Sequence, residues 1–143
     1  TWLTTQWNAG AFRRILVLNG HGGNIAALES ALPPLMQKPA LQIKLGHWWR
    51  ELVVTEIARV VFGSSGHAGP DEASAVLAIR PELVRLDRAQ GASPGPFSLN
   101  AQRLRELHPA GNTGPDPALA NAEAGRKMLA AAVEWYVRQV EEW

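Results

Sequence analysis

The sequence predicts an α/β fold in which helices cover a parallel sheet, and three observations support this class. The apolar run Ile15–Leu18 has the composition of a buried strand. Residues 41–45 alternate apolar and polar side chains as a short second strand does. Helix-like segments follow both strands, and strands that alternate with helices form parallel sheets. We therefore expect a three-layer α/β/α sandwich, built as a single domain over residues 1–143.

The first half of the chain contains both predicted strands. Residues 1–12 resemble the tail of a helix that stops at Gly10, and residues 14–18 are expected to form a buried strand. Asn24 has the side chain of a helix cap, so a helix is expected over residues 24–37. The Pro33-Pro34 pair should kink this helix or end it early, because proline cannot donate a backbone hydrogen bond.

The second half is predicted to be helical, with two long loops. One helix is expected over residues 51–62, and Pro70 is expected to start another that extends to about Ile79. Loops are expected over residues 88–98 and 108–117, before a last helix that Asp116 caps. The predicted buried residues of the first helix are Leu52, Ile57 and Val61. The predicted apolar stripe of the last helix is Leu129, Val133, Tyr136, Val137 and Val140.

Composition narrows the possible functions. The chain has 143 residues, of which 46% are hydrophobic and 19% charged, so it can form a core. A formal net charge of +1 gives no general reason to bind nucleic acid or a membrane surface. No apolar run approaches the ~18 residues of a membrane span, and a cytoplasmic location is the default expectation. The chain has no cysteine, so a metal would be held by His, Asp, Glu or water, which suits zinc or manganese.

The most informative segment is the Gly-rich turn that follows the first predicted strand, Asn19-Gly-His-Gly-Gly-Asn24. The turn carries His21 at the carboxyl end of a strand, where α/β proteins place ligands. Its glycines are expected to let the backbone turn sharply and to leave room beside the imidazole. His21 is a candidate metal ligand, although a turn histidine can also simply hydrogen-bond a carbonyl. An anion cradle is a weaker alternative, because Ile25 occupies the third glycine position of a dinucleotide fingerprint.

A second histidine-containing turn, Gly66-His-Ala-Gly-Pro-Asp-Glu72, precedes a predicted helix. Glu72 is a candidate metal ligand and His67 a candidate proton donor beside it, with Asp71 as a solvated neighbour. The alternative is that Glu72 is an ordinary first-turn carboxylate, which the helix dipole stabilises.

Three further histidine or aromatic positions have open interpretations. Trp48 and Trp49 follow the second strand, where one is expected to be in the core and the other in a pocket, although both could be packing residues. His108 precedes a proline and is expected to be solvated.

Taken together, the two turns resemble the creatininase (creatinine amidohydrolase) family. Asn19-Gly-His-Gly-Gly-Asn24 matches the family's Asn-Gly-His signature. His67-Ala-Gly-Pro-Asp-Glu-Ala-Ser74 resembles its second signature, and Leu77–Val84 and the Trp48-Trp49 pair are also similar to family sequence. The resemblance extends from Gly10 to nearly the end of the chain.

The resemblance implies a binuclear zinc or manganese site that hydrolyses cyclic or linear amide C–N bonds. By motif match, His21 would bind one metal and Glu72 the other, while His67 would protonate the leaving nitrogen. Trp48 and Trp49, together with Gly22 and Gly23, would contact a small-molecule amide substrate. Family members are oligomers, commonly hexamers, so a homo-oligomer is expected.

Two substitutions and one absence separate the chain from the family pattern. Gly23 stands where creatinine-cleaving members carry glutamate, which argues against creatinine as the substrate. Ala73 replaces the usual threonine. Nothing before Asn19 resembles the family's Glu-x-His pair and bridging Asp, so the chain is expected to correspond to the C-terminal portion of a family member, without the N-terminal part of the fold.

The expected function is therefore metal-dependent amide hydrolysis of a non-peptide or cyclic substrate, with little or no activity from this chain alone. Two ligands cannot close a metal site without further donors. The alternatives are a non-catalytic α/β remnant that only associates, or a small anion- or nucleotide-binding module.

Overall fold

A computed structural model describes residues 12–36, 41–91 and 100–143. The predicted helix tail over residues 1–12 lies almost entirely outside the described residues, as does most of the predicted loop 88–98. The described residues form two compact units. The sheet unit contains the residues up to Arg50 together with Glu134–Trp143, and the helical unit contains Glu51–Val133.

The sheet unit is built on two parallel strands. Strand β1, Arg14–Asn19, pairs with strand β2, Gln42–His47, in a register that places Asn19 opposite His47. The predicted α/β class with a parallel sheet is confirmed, and β2 extends two residues further than predicted. Leu18 was expected to be buried but is 60% exposed, because β1 pairs with β2 alone among the described residues.

Two short helices follow β1. A 3₁₀ turn over Gly22–Asn24 leads into helix α1, Ile25–Ala31, and helix α2 spans Pro33–Met36. The break before Pro33 confirms the predicted interruption. Asn24 occupies the N-cap position of α1, as predicted, but its side chain makes no capping hydrogen bond, and its Nδ2 donates to Asn19 Oδ1 over 3.1 Å.

The end of the last helix packs against β2 within the sheet unit. Helix α6 spans Ala122–Glu141. A Cβ at Gly46 of β2 would lie 2.5 Å from Tyr136 Cε1 and 2.6 Å from Trp135 Cζ3, so only glycine lets these rings pack this closely. Lys44 Nζ donates to the carbonyl of Gln139 over 2.6 Å and lies 5.0 Å from the centre of the Trp143 ring. These contacts hold the helix terminus against the sheet.

In the helical unit, helix α3 spans Leu52–Phe62 and begins with a side-chain cap. Glu51 Oε2 accepts hydrogen bonds from the amides of Val53 and Val54, at 2.9 and 3.0 Å. Gly63 ends the helix with a φ of 84°, a conformation that glycine adopts without strain.

The buried face of α3 differs from the predicted one. The structure buries Val54, Ala58 and Phe62, whereas Leu52 is 83% and Val61 44% exposed. The segment carries more apolar residues than one contact face can bury, so periodicity alone does not identify the buried ones.

Two more helices and several turns complete the helical unit. Helix α4 spans Pro70–Ile79, with proline in the first turn as predicted, and helix α5 spans Ala101–Leu107. Short 3₁₀ turns cover Pro81–Leu83, Leu86–Arg88 and Pro117–Leu119. The prediction that Asp116 caps the last helix is wrong, because it caps only the last of these turns. Asn121 Oδ1 accepts from Ala124 N at 2.7 Å at the start of α6.

The first half of α6 packs through three small residues and Met128 rather than through the predicted stripe. Its buried residues are Ala124, Gly125, Met128 and Ala132. Gly125 lies directly against the backbone of Ser74 in α4. Val133, Val137 and Val140 of the predicted stripe are exposed.

Two further findings concern burial and membrane topology. His108 is buried, with 4% of its surface exposed, rather than solvated as expected. None of the described helices combines the length with the low charge that crossing a bilayer would require.

Candidate functional site

Asn19 organises the turn at the carboxyl end of β1. The side chain is buried, and its Oδ1 accepts hydrogen bonds from the backbone amide of His21 and from Asn24 Nδ2, both at 3.1 Å. The amide of Asn24 donates to the carbonyl of His21 over 3.2 Å and closes the 3₁₀ turn. The two asparagines of the Asn-Gly-His-Gly-Gly-Asn motif therefore fix the position of the histidine between them.

The glycines of this turn leave room for neighbouring side chains and do not adopt unusual backbone angles. The backbone turns sharply over Gly22–Asn24, as expected, but the described glycines with positive φ are those at positions 63, 111 and 114, so this turn does not use the left-handed region. A Cβ on Gly23 would lie 3.1 Å from His21 Cδ2 and 3.3 Å from His21 Nε2. Gly23 thus leaves room beside the imidazole, as expected.

The end of β2 brings three ring side chains to the same turn. Asn19 Nδ2 lies 2.8 Å from His47 Nδ1, and Trp48 Nε1 donates to the carbonyl of Gly20 over 3.3 Å. A Cβ on Gly22 would lie 3.8 Å from Trp49 Cζ2. Within the sheet unit, the structure therefore brings together His21, Gly22, Gly23 and both tryptophans.

The two tryptophans do not point to opposite faces of an extended segment. Trp48–Arg50 forms a 3₁₀ turn, in which Trp48 and Trp49 pack edge to face with their ring centres 6.5 Å apart. Both are half-buried, so the expected division into one core and one pocket residue is wrong.

His67 lies on a loop of the helical unit that is anchored through its backbone. Its amide donates to Thr113 Oγ1 over 3.2 Å, and its carbonyl accepts from the amide of Thr113 at 2.8 Å. A Cβ at Gly66 would lie 2.9 Å from the carbonyl carbon of Thr113, so glycine is required for this close approach. The backbone of His67 is therefore held in place by hydrogen bonds, although the residue is exposed.

Glu72 turns back from the first turn of α4 toward this loop. Its Oε2 accepts a hydrogen bond from the amide of Ala68 at 2.6 Å. Ala68 has a φ of 50°, which lies in the left-handed region that alanine rarely adopts. Among the described residues, Ala68 is the one non-glycine residue with a positive φ. The structure therefore brings His67 and Glu72 to one loop, with local strain of the kind that clusters at functional sites.

Asp71 is the residue of this loop that sequence reasoning misjudged. It was expected to be solvated but is 3% exposed, and its Oδ1 has no hydrogen-bond partner. Burial raises the pKa of the Asp71 carboxyl, while hydrogen bonds from the backbone amides of Asp71 and Glu72 and from Ser65 oppose the rise. A carboxylate in the first helical turn is normally solvated, so nothing in the sequence pattern signalled its burial.

Ser74 joins this loop region to the start of α6. Its buried hydroxyl donates to the carbonyl of Pro70 over 2.5 Å and accepts from the amide of Asn121 at 2.9 Å. The last residue of the second signature thus fixes the first turn of α4, which carries Glu72.

These observations define an α/β protein with an imidazole turn at the carboxyl edge of a parallel sheet and a second loop that carries an imidazole and a carboxylate. The creatininase family model, described as creatinine amidohydrolase, matches residues 3–140. The chain belongs to the creatininase family, which confirms the resemblance inferred from its two signatures.

Curated relatives and solved structures agree with this assignment. The chain is 33% identical over 135 residues to the mycofactocin precursor peptide peptidase of Mycobacterium tuberculosis (strain H37Rv), a match that covers 92% of this chain and 49% of the relative. The same-named protein of Mycobacterium ulcerans (strain Agy99) is 31% identical, with 91% and 49% covered. The chain therefore spans about half the length of these relatives. A solved manganese creatininase has a TM-score of 0.75 at 21% identity, covering 98% of this chain and 60% of that one, which shows a shared fold.

Proposed function

We propose that this chain carries part of the active site of a metal-dependent amidohydrolase, with His21 and Glu72 as metal ligands and His67 as the proton donor. The observation that carries the proposal is the set of donors held at the two signatures. The first signature holds the imidazole of His21, and the second holds the imidazole of His67 and the carboxylate of Glu72, all of them groups that bind metal ions in proteins. Two imidazoles and a carboxylate, without any cysteine, suit zinc or manganese.

The local geometry supports these roles separately in each unit. Asn19 and Asn24 hold the backbone of His21, and Gly23 leaves one side of its ring uncovered by a Cβ. Thr113 holds the backbone of His67 on both sides. Such fixed backbones are what a site needs in order to keep ligands and an acid in position.

Each residue has a distinct part in the proposed reaction. When bound, the metal ions would supply an activated water and polarise the amide carbonyl. His67 would deliver a proton to the departing nitrogen, since imidazole can carry a proton near neutral pH. Trp48 and Trp49 would pack against the substrate and keep water away from it, with Gly22 and Gly23 leaving space beside them.

The relatives favour a peptide-type amide over the non-peptide or cyclic amide that the sequence alone suggested. The relatives that are 31–33% identical carry the name of a peptide peptidase. Gly23, at the position where creatinine-cleaving members have glutamate, argues against creatinine itself. We therefore propose a peptide C–N bond as the substrate class.

The anion-cradle alternative is disfavoured by the turn itself. The amide of His21 donates to Asn19 Oδ1 and the amide of Asn24 donates to the carbonyl of His21. These two amides are already used inside the protein, so fewer backbone donors of the turn are left for a phosphate.

Metal titration of the purified, metal-stripped chain tests the proposal. We expect weak binding of Zn²⁺ or Mn²⁺, further weakened by more than about tenfold in His21→Ala and in Glu72→Gln, since loss of even an outer-shell partner costs roughly 10- to 100-fold. Glu82→Gln is the matched control, because Glu82 is an exposed carboxylate paired with Arg80. Equal affinity in all four proteins would show that these residues are not ligands.

The His67→Asn variant separates a proton donor from a third ligand. We expect it to keep the metal affinity of the unmodified chain, and to lose any hydrolysis of a short peptide that the metal-loaded chain performs. A loss of metal affinity as large as that of His21→Ala would assign His67 to the metal instead.

A further inference from the structure

The imidazole of His47 has no part in the proposed reaction, although it lies at the same end of the sheet as His21. His47 is the last residue of β2 and pairs in register with Asn19. Its ring centre is 5.3 Å from that of Trp49. Ligands of α/β proteins bind at the carboxyl ends of parallel strands, so this position is one from which a side chain can contact a substrate.

The hydrogen bonds of Asn19 determine which nitrogen of His47 carries the proton. The backbone amide of His21 can only donate, and it donates to Asn19 Oδ1. The other side-chain atom of Asn19, 2.8 Å from His47 Nδ1, is therefore the Nδ2 donor. His47 Nδ1 must accept this bond, so in the neutral ring the proton is on Nε2.

The protonated nitrogen of His47 is not fully buried. Among the described residues, no group accepts a hydrogen bond from Nε2. Among the described residues, the buried side-chain atoms without a hydrogen-bond partner are oxygens of Asp71, Asn112 and Tyr136. Because Nε2 of His47 also has no partner but is not one of these atoms, it is not fully buried. The ring as a whole is half-buried and held by Asn19 and Trp49. His47 thus presents one oriented N–H donor beside an indole ring.

We propose that His47 is a substrate-binding residue whose Nε2–H donates a hydrogen bond to a carbonyl oxygen of an amide substrate, while the flat amide packs against Trp49. This inference rests on the proposed function, because it names the chemical group that the same end of the sheet recognises. Selection by a fixed donor favours substrates that carry a carbonyl acceptor next to a planar group.

The tautomer is tested directly by ¹⁵N NMR of the histidine-labelled, metal-free chain. We expect the His47 ring to show a protonated Nε2 and an unprotonated Nδ1. The probe is N-acetylglycinamide, an uncharged compound with amide carbonyls, and we expect its addition to shift the His47 Nε2 resonance and the Trp49 indole resonances together. A protonated Nδ1, or an Nε2 resonance that does not respond to the probe, would overturn the proposal.

Two substitutions separate the donor from the internal hydrogen bond. In His47→Asn, the amide oxygen can replace Nδ1 as the acceptor from Asn19, but the outward donor is lost. In His47→Gln, the longer side chain can place an N–H near the position of Nε2. We expect His47→Asn to bind the probe roughly two- to tenfold more weakly, as loss of one neutral hydrogen bond predicts, and His47→Gln to recover part of the affinity. Unchanged affinity in His47→Asn would refute the donor role.

The outcome of this experiment can be interpreted even if the proposed function is wrong. The probe binds without metal and without turnover, whereas the proposed function is tested by the metal affinity of the His21→Ala and Glu72→Gln variants. If the probe shifts the His47 resonance as expected but those variants bind metal as tightly as the unmodified chain, the proposed metal site is refuted and the role of His47 in substrate binding is supported.

Discussion

The contact between Gly125 and Ser74 offers a sharp test of how the helical unit is packed. A Cβ at position 125 would lie 2.5 Å from the carbonyl carbon of Ser74, closer still to its oxygen, and 3.1 Å from the amide nitrogen of Ala75. All three are backbone atoms and cannot rotate away. In Gly125→Ala, α6 must therefore move away from α4.

The size of the effect follows from three contributions. Overpacking of a tight contact costs about 1–3 kcal/mol. Movement of α6 also weakens the 2.9 Å bond between Asn121 N and Ser74 Oγ, worth about 1 kcal/mol. The higher helix propensity of alanine returns about 1 kcal/mol. The net loss in the free energy of unfolding is therefore about 2 kcal/mol, or roughly 4–8 °C in Tm for a chain of this size.

Thermal and urea denaturation, followed by circular dichroism, measure this loss. Gly20→Ala is the matched control, because a Cβ at Gly20 would meet nothing within 4 Å, and it should change the free energy of unfolding little. A Gly125→Ala protein as stable as the unmodified chain, or more stable, would show that the helices do not approach as closely as described here.

Three further predictions concern other parts of the molecule. Burial raises the pKa of the Tyr136 phenol above its usual value of 10.0, so the unfolded chain ionises first and stability falls as the pH rises past about 10. Tyr136→Phe should reduce this loss of stability between pH 8 and pH 11, measured by urea denaturation. The same loss in the variant as in the unmodified chain would contradict the prediction. Gly23→Ala should press on the His21 ring and weaken Zn²⁺ binding severalfold in the same titration, whereas equal affinity would show that the ring has room to move. Self-association remains a prediction, supported within the sheet unit by the exposed side chains of Leu18 and Val137, and sedimentation that gives a monomer at micromolar concentrations would refute it.

The sequence by itself determined the class of fold, the order of the two strands and most of the helices, and the family, but it did not predict α5. Ile15–Leu18 and the alternating segment after residue 41 form the paired parallel strands. Proline positions gave helix boundaries correctly at residues 33 and 70, because a ring that fixes φ and removes an N–H acts locally. The two signature turns could also be identified from sequence, since each combines glycines with side chains suited to metal or acid–base chemistry.

Tertiary structure decided which faces are buried. Helix α3 has more apolar residues than its neighbours can bury, so only those neighbours select Val54 over Leu52. The contact face of α6 is set by the close approach at Gly125, which requires small side chains rather than the most hydrophobic ones.

Tertiary structure also decided the environment of the site residues. Asp71 is buried by the loop that packs over it, against the ordinary preference of a first-turn carboxylate for water. Asn19 links His21, Asn24 and His47 across two strands that lie far apart in sequence. Hydrogen bonds between distant segments depend on strand register, and no local pattern of residues encodes which side chains that register brings together.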